Sequence, residues 1–149
     1  MNHQSRTTFT SELDLRRWTE AQCKTLFIPY SKIEPSLNST LGLPDYTLII
    51  DDLPAYVELK CAKPLSKNFQ SEIRPNQKKR LKGLKRSNQR VGILVCIQNT
   101  SEVFGVLIRP ETLTGKFDFS DLRSKSLALP VSAFGSALEF FKNDQLPYE

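Results

Sequence analysis

Pro44-Asp45-Tyr46-Thr47-Leu48-Ile49-Ile50-Asp51-Asp52-Leu53-Pro54-Ala55-Tyr56-Val57-Glu58-Leu59-Lys60 reads as two short strands joined by a turn. Tyr46–Ile50 and Ala55–Lys60 are rich in β-branched and aromatic residues, and Asp51-Asp52-Leu53-Pro54 between them has turn chemistry. Pairing Ile50 with Ala55 puts Asp45 opposite Lys60 and Thr47 opposite Glu58. Side chains alternate along a strand and opposed residues share a face, so Asp45, Glu58 and Lys60 point one way. Glu58 then lies on the diagonal from Asp45, about 7–8 Å away between Cα atoms. Tyr46, Leu48, Val57 and Leu59 fall on the opposite face.

Two carboxylates a few ångströms apart repel, and burying them together is costly unless a cation neutralises them. Oxygen ligands suit Mg²⁺, with Mn²⁺ able to substitute. Such an ion acidifies its water and stabilises charge building on a phosphate. A lysine beside it can hold the attacking water or the phosphoryl oxygens. The single histidine, His3, lies near the N-terminus, which gives a histidine-based hydrolytic mechanism little support. An ordinary hairpin ending in a solvated Glu/Lys pair is the bland alternative.

The segment Gly42-Leu43-Pro44-Asp45 followed by Glu58-Leu59-Lys60 resembles the PD-(D/E)xK nuclease superfamily, most closely its small VRR-NUC and Holliday-junction-resolvase branches. The resemblance spans about residues 10–97, and the hairpin is its one sharp motif. It implies a restriction-endonuclease-like α/β core with a central mixed sheet of four or five strands flanked by helices. It also implies that Asp45, Glu58 and the Leu59 main-chain carbonyl bind metal while Lys60 serves the nucleophile or the transition state. A glutamate on the first helix would complete the site; Glu12 is the preferred candidate and Glu20 its competitor. Gln77, on the helix after the Glu-x-Lys strand, matches the family's glutamine.

A chain of 149 residues is expected to form one domain, here over 10–149, after an unstructured stretch at 1–9. No apolar run approaches the roughly 20 residues needed to span a bilayer, and the polar N-terminus has no signal-peptide core. Cys23, Cys61 and Cys96 are dispersed and lack Cys-x-x-Cys spacing, which points to a reducing compartment and away from zinc. A cytoplasmic location is expected, or a nuclear or mitochondrial one in a eukaryote.

The charge of +5 is unevenly distributed. Lys60 to Arg90 contains eleven Lys/Arg and one acid, Glu72, so this segment carries +10 and the rest −5. Beside two acids, such a block is the electrostatic footprint of a polyanion; alone it reads equally well as a solvated helix face. The candidate phosphate contacts are Lys63, Lys67, Arg74, Lys78, Lys79, Arg80, Lys82, Lys85 and Arg86.

Around these motifs the spacing predicts a helix capped by Ser11 or Thr10 and running to about Lys24, and a strand over Leu26–Ile33, where Pro29 argues for an edge or a bulge. Glu34–Leu41 reads as a loop, Lys63–Arg74 as a flexible basic loop, and Pro75 as the first turn of a helix to about Ser87. Gln77, Leu81 and Leu84 share that helix's inner face. Gly83 in its interior suggests close approach to the sheet or to a phosphate, or mere drift. Val91–Gln98 and Val103–Ile108 form an apolar pair. Residues 110–129 are mixed, with Phe117 and Phe119 as core candidates. A helix over Ser132–Phe141 carries a Phe134, Leu138, Phe141 stripe, read as core or, alternatively, as a homodimer face. The function expected is a Mg²⁺-dependent endonuclease acting on branched DNA, a Holliday-junction resolvase by resemblance. A restriction- or repair-type endonuclease on duplex DNA and a non-catalytic nucleic-acid-binding module are the alternatives.

Overall fold

The computed structural model describes residues 7–33, 41–63, 73–114, 119–131, 134–144, 146 and 148. It is an α/β fold, in which a six-stranded mixed sheet in the order β1-β2-β3-β4-β5-β6 is flanked by helices. The strands are β1 (Tyr30–Lys32), β2 (Tyr46–Ile50), β3 (Leu53–Ala62), β4 (Arg90–Ile97), β5 (Val103–Leu107) and β6 (Ala128–Pro130). The helices are α1 (Glu12–Thr25), α2 (Pro75–Arg86), α3 (Pro110–Thr114), α4 (Phe119–Ser124) and α5 (Phe134–Lys142). Only β3 and β4 run parallel, joined by the crossover that contains α2; all other neighbours are antiparallel. Six strands exceed the expected four or five, because β6 is a three-residue strand within the stretch of mixed signals.

Alternation along β3 sorts its side chains into two cores. Val57 and Leu59 join Tyr46, Leu48, Leu94 and Cys96 beneath Leu15 and Cys23 of α1 and Phe134, Ala137, Leu138 and Phe141 of α5. Ala62 joins Ile93, Val95 and Ile97 against Leu81 of α2 on the other face. Burying such aliphatic groups stabilises the fold by roughly 1.5–3 kcal/mol per large side chain. At Gly92 an added Cβ would lie 2.2 Å from the Phe141 ring, so a bare backbone is what lets α5 close on β4. The Phe134 stripe therefore packs into the core.

The β2–β3 register differs from the sequence expectation by two residues. Ile50 pairs with Leu53 and Thr47 with Tyr56, not Ala55 and Glu58. Asp51 and Asp52 both take positive φ (53° and 64°), which makes the connection a two-residue turn of the primed type that suits twisted strands. Pro54 thus lies inside β3. Its missing N–H is harmless because that side faces β4, whose pairing starts only at Ala55 with Arg90. A shift of two preserves every residue's face, and it places Asp45 directly across from Glu58 instead of on the diagonal.

Other boundaries moved modestly. The predicted Leu26–Ile33 strand is ordered as a strand only over Tyr30–Lys32, because Phe27 takes positive φ (57°) after the helix end. β1 is an edge strand, as Pro29 suggested. Phe9, placed in the unstructured terminus by the sequence, is buried and bridges Thr100. The 34–40 part of the predicted loop, most of the basic loop and Phe117 lie outside the described residues, as does the side chain of Phe119. No described helix is long and apolar enough to cross a membrane.

Candidate active site

Gly42 sets the approach to the site. Its φ is +68°, and a Cβ there would lie 2.3 Å from the Asn76 carbonyl oxygen in the first turn of α2. Only glycine accepts both conditions. The chain then runs through Pro44 to Asp45, whose carbonyl accepts a 2.9 Å hydrogen bond from the Ile33 N–H.

Asp45 Oδ2 accepts a hydrogen bond from the Leu59 N–H at 2.8 Å, replacing the main-chain partner that a longer ladder would supply. The residue facing Leu59 in this register is Pro44, which has no N–H to offer the Leu59 carbonyl. Strand alternation sends that carbonyl to the same side as the Leu59 N–H, toward Asp45. The aspartate side chain and the proline together open the ladder where the acids meet.

Glu58 is 1 % exposed and Asp45 3 %. Glu58 Oε1 accepts from Gln77 Nε2 at 3.0 Å and lies 3.6 Å from Lys60 Nζ. Glu58 Oε2 is buried, receives no donor from the described residues, and pairs with the Asp45 carboxylate when Glu58 carries its proton. Burial, and after it the Asp45 carboxylate, pushes the Glu58 carboxyl up to about 9, while Lys60 pulls it down. Lys60 Nζ donates to Gln77 Oε1 at 3.1 Å, and that oxygen also accepts from the Arg74 N–H at 3.1 Å. Gln77, 1 % exposed, thus holds acid and base together from the N-terminal turn of α2, whose dipole favours an anion there.

The oxygens available to a cation here are Asp45 Oδ1, Glu58 Oε2 and, by strand alternation, the Leu59 carbonyl. All are oxygens, the two carboxyls are buried side by side, and the set suits a hard divalent cation that keeps several waters. Among the described residues, no three His, Cys, Asp or Glu side chains form a metal-holding group. Glu12 reaches the centre through Arg16, a residue the sequence reading did not single out. Arg16 Nη2 donates to Glu12 Oε1 at 3.0 Å and to Asp45 Oδ1 at 2.8 Å. The spacing of Glu12 and Arg16, one helical turn, was legible; the contact 29 residues away was not. Glu20 lies elsewhere, accepting from the Tyr46 and Tyr30 hydroxyls.

Lys63, Arg74, Lys79, Arg80 and Arg86 are exposed, and Lys78 and Lys82 half-buried. Lys82 and Arg86 flank the Tyr148 ring at 5.8 and 5.4 Å. Gly83 has nothing within 4 Å of a built Cβ and opens, with Asn76, Lys79 and Arg80, onto a surface groove of about 550 Å³; it does not approach the sheet. Lys85 departs from expectation. It is 8 % exposed and paired at 2.6 Å with Asp144, which Arg109 also binds, so its charge is spent inside the fold. Lys85 sits one turn after Leu81 on the inner face, which explains the inversion. Lys67 lies outside the described residues.

Comparison of the chain with models of known protein families gave no match, and comparison with curated protein sequences gave none either.

Proposed function

We propose that this protein is a divalent-metal-dependent endonuclease of the PD-(D/E)xK type, with a restriction-endonuclease-like core, acting on DNA through backbone charge and shape. The observation that carries the reading is a pair of buried carboxyls, Glu58 facing Asp45, with Lys60 beside them. A structural hairpin gains nothing from that costly arrangement; a cation site does.

Asp45 Oδ1, Glu58 Oε2 and the Leu59 carbonyl would hold Mg²⁺ or Mn²⁺, which when bound supplies Lewis-acid polarisation of the scissile phosphate and an acidified water. Lys60, its ammonium fixed by Gln77 Oε1, offers a positive charge to the attacking water or to the phosphoryl oxygens. Gln77 keeps Glu58 and Lys60 in register, so neither has to reorganise during the reaction. Lys78, Lys79, Arg80 and Lys82 on the outer side of α2 bind flanking phosphates. Branched DNA, including the four-way junction cut by a homodimer, is the preferred substrate class because the recognition surface is charge rather than a base-reading helix.

A second reading, a nucleic-acid-binding module that does not cut, draws on Arg16, which already neutralises Asp45. One assay separates the two. Purified protein is incubated with labelled four-way junction, duplex and single-stranded DNA in Mg²⁺ or EDTA. Cleavage in Mg²⁺ alone is expected, and binding without cleavage of any substrate would favour the second reading.

A further inference from the structure

Arg16 has no task in the mechanism above, yet it touches the site's central acid. Its side chain is 24 % exposed, so it has a path to solvent, whereas Asp45 is almost fully enclosed. Asp45 Oδ2 is committed to the Leu59 N–H at 2.8 Å. Oδ1 is the oxygen turned from the Leu59 N–H, and Arg16 Nη2 stands 2.8 Å from it. A cation bound to that same oxygen at about 2.1 Å would sit against the guanidinium with strong like-charge repulsion. The two cations compete for the same carboxylate oxygen.

We propose that Arg16 is the site's resident counter-cation, which holds Asp45 Oδ1 in the metal-free protein and must withdraw before a divalent metal binds. This rests on the metal-site reading. Glu12, one turn earlier on α1 and 3.0 Å from Arg16 Nη2, is the partner to which the withdrawn guanidinium stays bound. Glu12 thereby acts through Arg16 without ligating the metal. Arg16 is a positioning residue: it stabilises the buried acid while the site is empty of metal and sets the metal concentration at which the site fills.

A purely structural Arg16, clamping α1 to the sheet, makes the opposite forecast, since its loss would loosen Asp45 and weaken metal binding. The test titrates the full-length protein with Mn²⁺ alone, reading free ion by electron paramagnetic resonance, for wild type, Arg16→Gln and Arg16→Lys. Arg16→Gln, which can still hydrogen-bond Glu12, is expected to bind Mn²⁺ about tenfold tighter, because the competitor is gone and a buried charge awaits compensation. Arg16→Lys, which keeps the charge and guards against a folding defect in the first variant, is expected to fall between. Mn²⁺ affinity that is unchanged or lower in Arg16→Gln overturns the inference alone. Failure of every protein, wild type included, to bind Mn²⁺ overturns the metal-site reading with it.

Discussion

Replacing Glu58 by glutamine should make the metal-free protein more stable at neutral pH, although it destroys the proposed site. The Glu58 carboxyl, ordinarily near 4.5, is raised to about 9 by burial and by the facing Asp45 carboxylate. Between those values the folded chain keeps a proton that the unfolded chain releases. Stability from this group is therefore fully present below pH 4.5 and is lost as pH rises toward 9. At pH 7 the loss amounts to about 3 kcal/mol, at 1.36 kcal/mol per unit. With Glu58 only 1 % exposed, solvent screening reduces this little. Glutamine keeps an oxygen for Gln77 Nε2 and offers Asp45 an N–H where the protonated carboxyl offers its O–H. Urea unfolding in EDTA at pH 5, 6 and 7 measures the effect as the difference between the two proteins, in which the titration of other groups largely cancels. The gap should widen by roughly 2–3 kcal/mol from pH 5 to 7 in favour of Glu58→Gln. Parallel pH profiles would refute the reasoning and show that Glu58 is already ionised in the fold.

Gly42→Ala must place a Cβ 2.3 Å from the Asn76 carbonyl at positive φ, and a loss of about 2 kcal/mol or more is expected in denaturant unfolding, together with reduced activity. Changing Lys78, Lys79 and Lys82 together to alanine should weaken DNA binding and flatten the log–log salt dependence by about two to three units, as fluorescence anisotropy across a salt series would show. An unchanged slope would remove α2 from the binding surface. Asp144→Ala should destabilise the fold by about 3 kcal/mol, because it strands Lys85 and Arg109 inside the protein, while leaving the salt slope intact.

The hairpin was legible because alternation and the Asp-Asp turn are local signals, and so was the convergence of Asp45, Glu58 and Lys60 on one side. Its register was not, because Pro54 reads as a turn residue until the late start of β4 is known. α2 and its buried Gln77 followed from Pro75 and helical spacing. The two features that change the chemistry most, Arg16 on Asp45 and Asp144 on Lys85, join residues 29 and 59 positions apart. Local pattern carries no information about such pairs. β6 was illegible for another reason: three residues with two exposed positions leave no periodicity to read.

The central claim is that Asp45, Glu58 and Lys60 form a phosphodiester-cleaving site. It is tested most directly by comparing wild type with Glu58→Ala on one labelled four-way junction in Mg²⁺, with binding measured in parallel. Discrete cleavage products are expected from wild type, none from Glu58→Ala, and equal or tighter binding by the variant. Equal cutting by both proteins, or none by wild type under conditions where it binds, would contradict it.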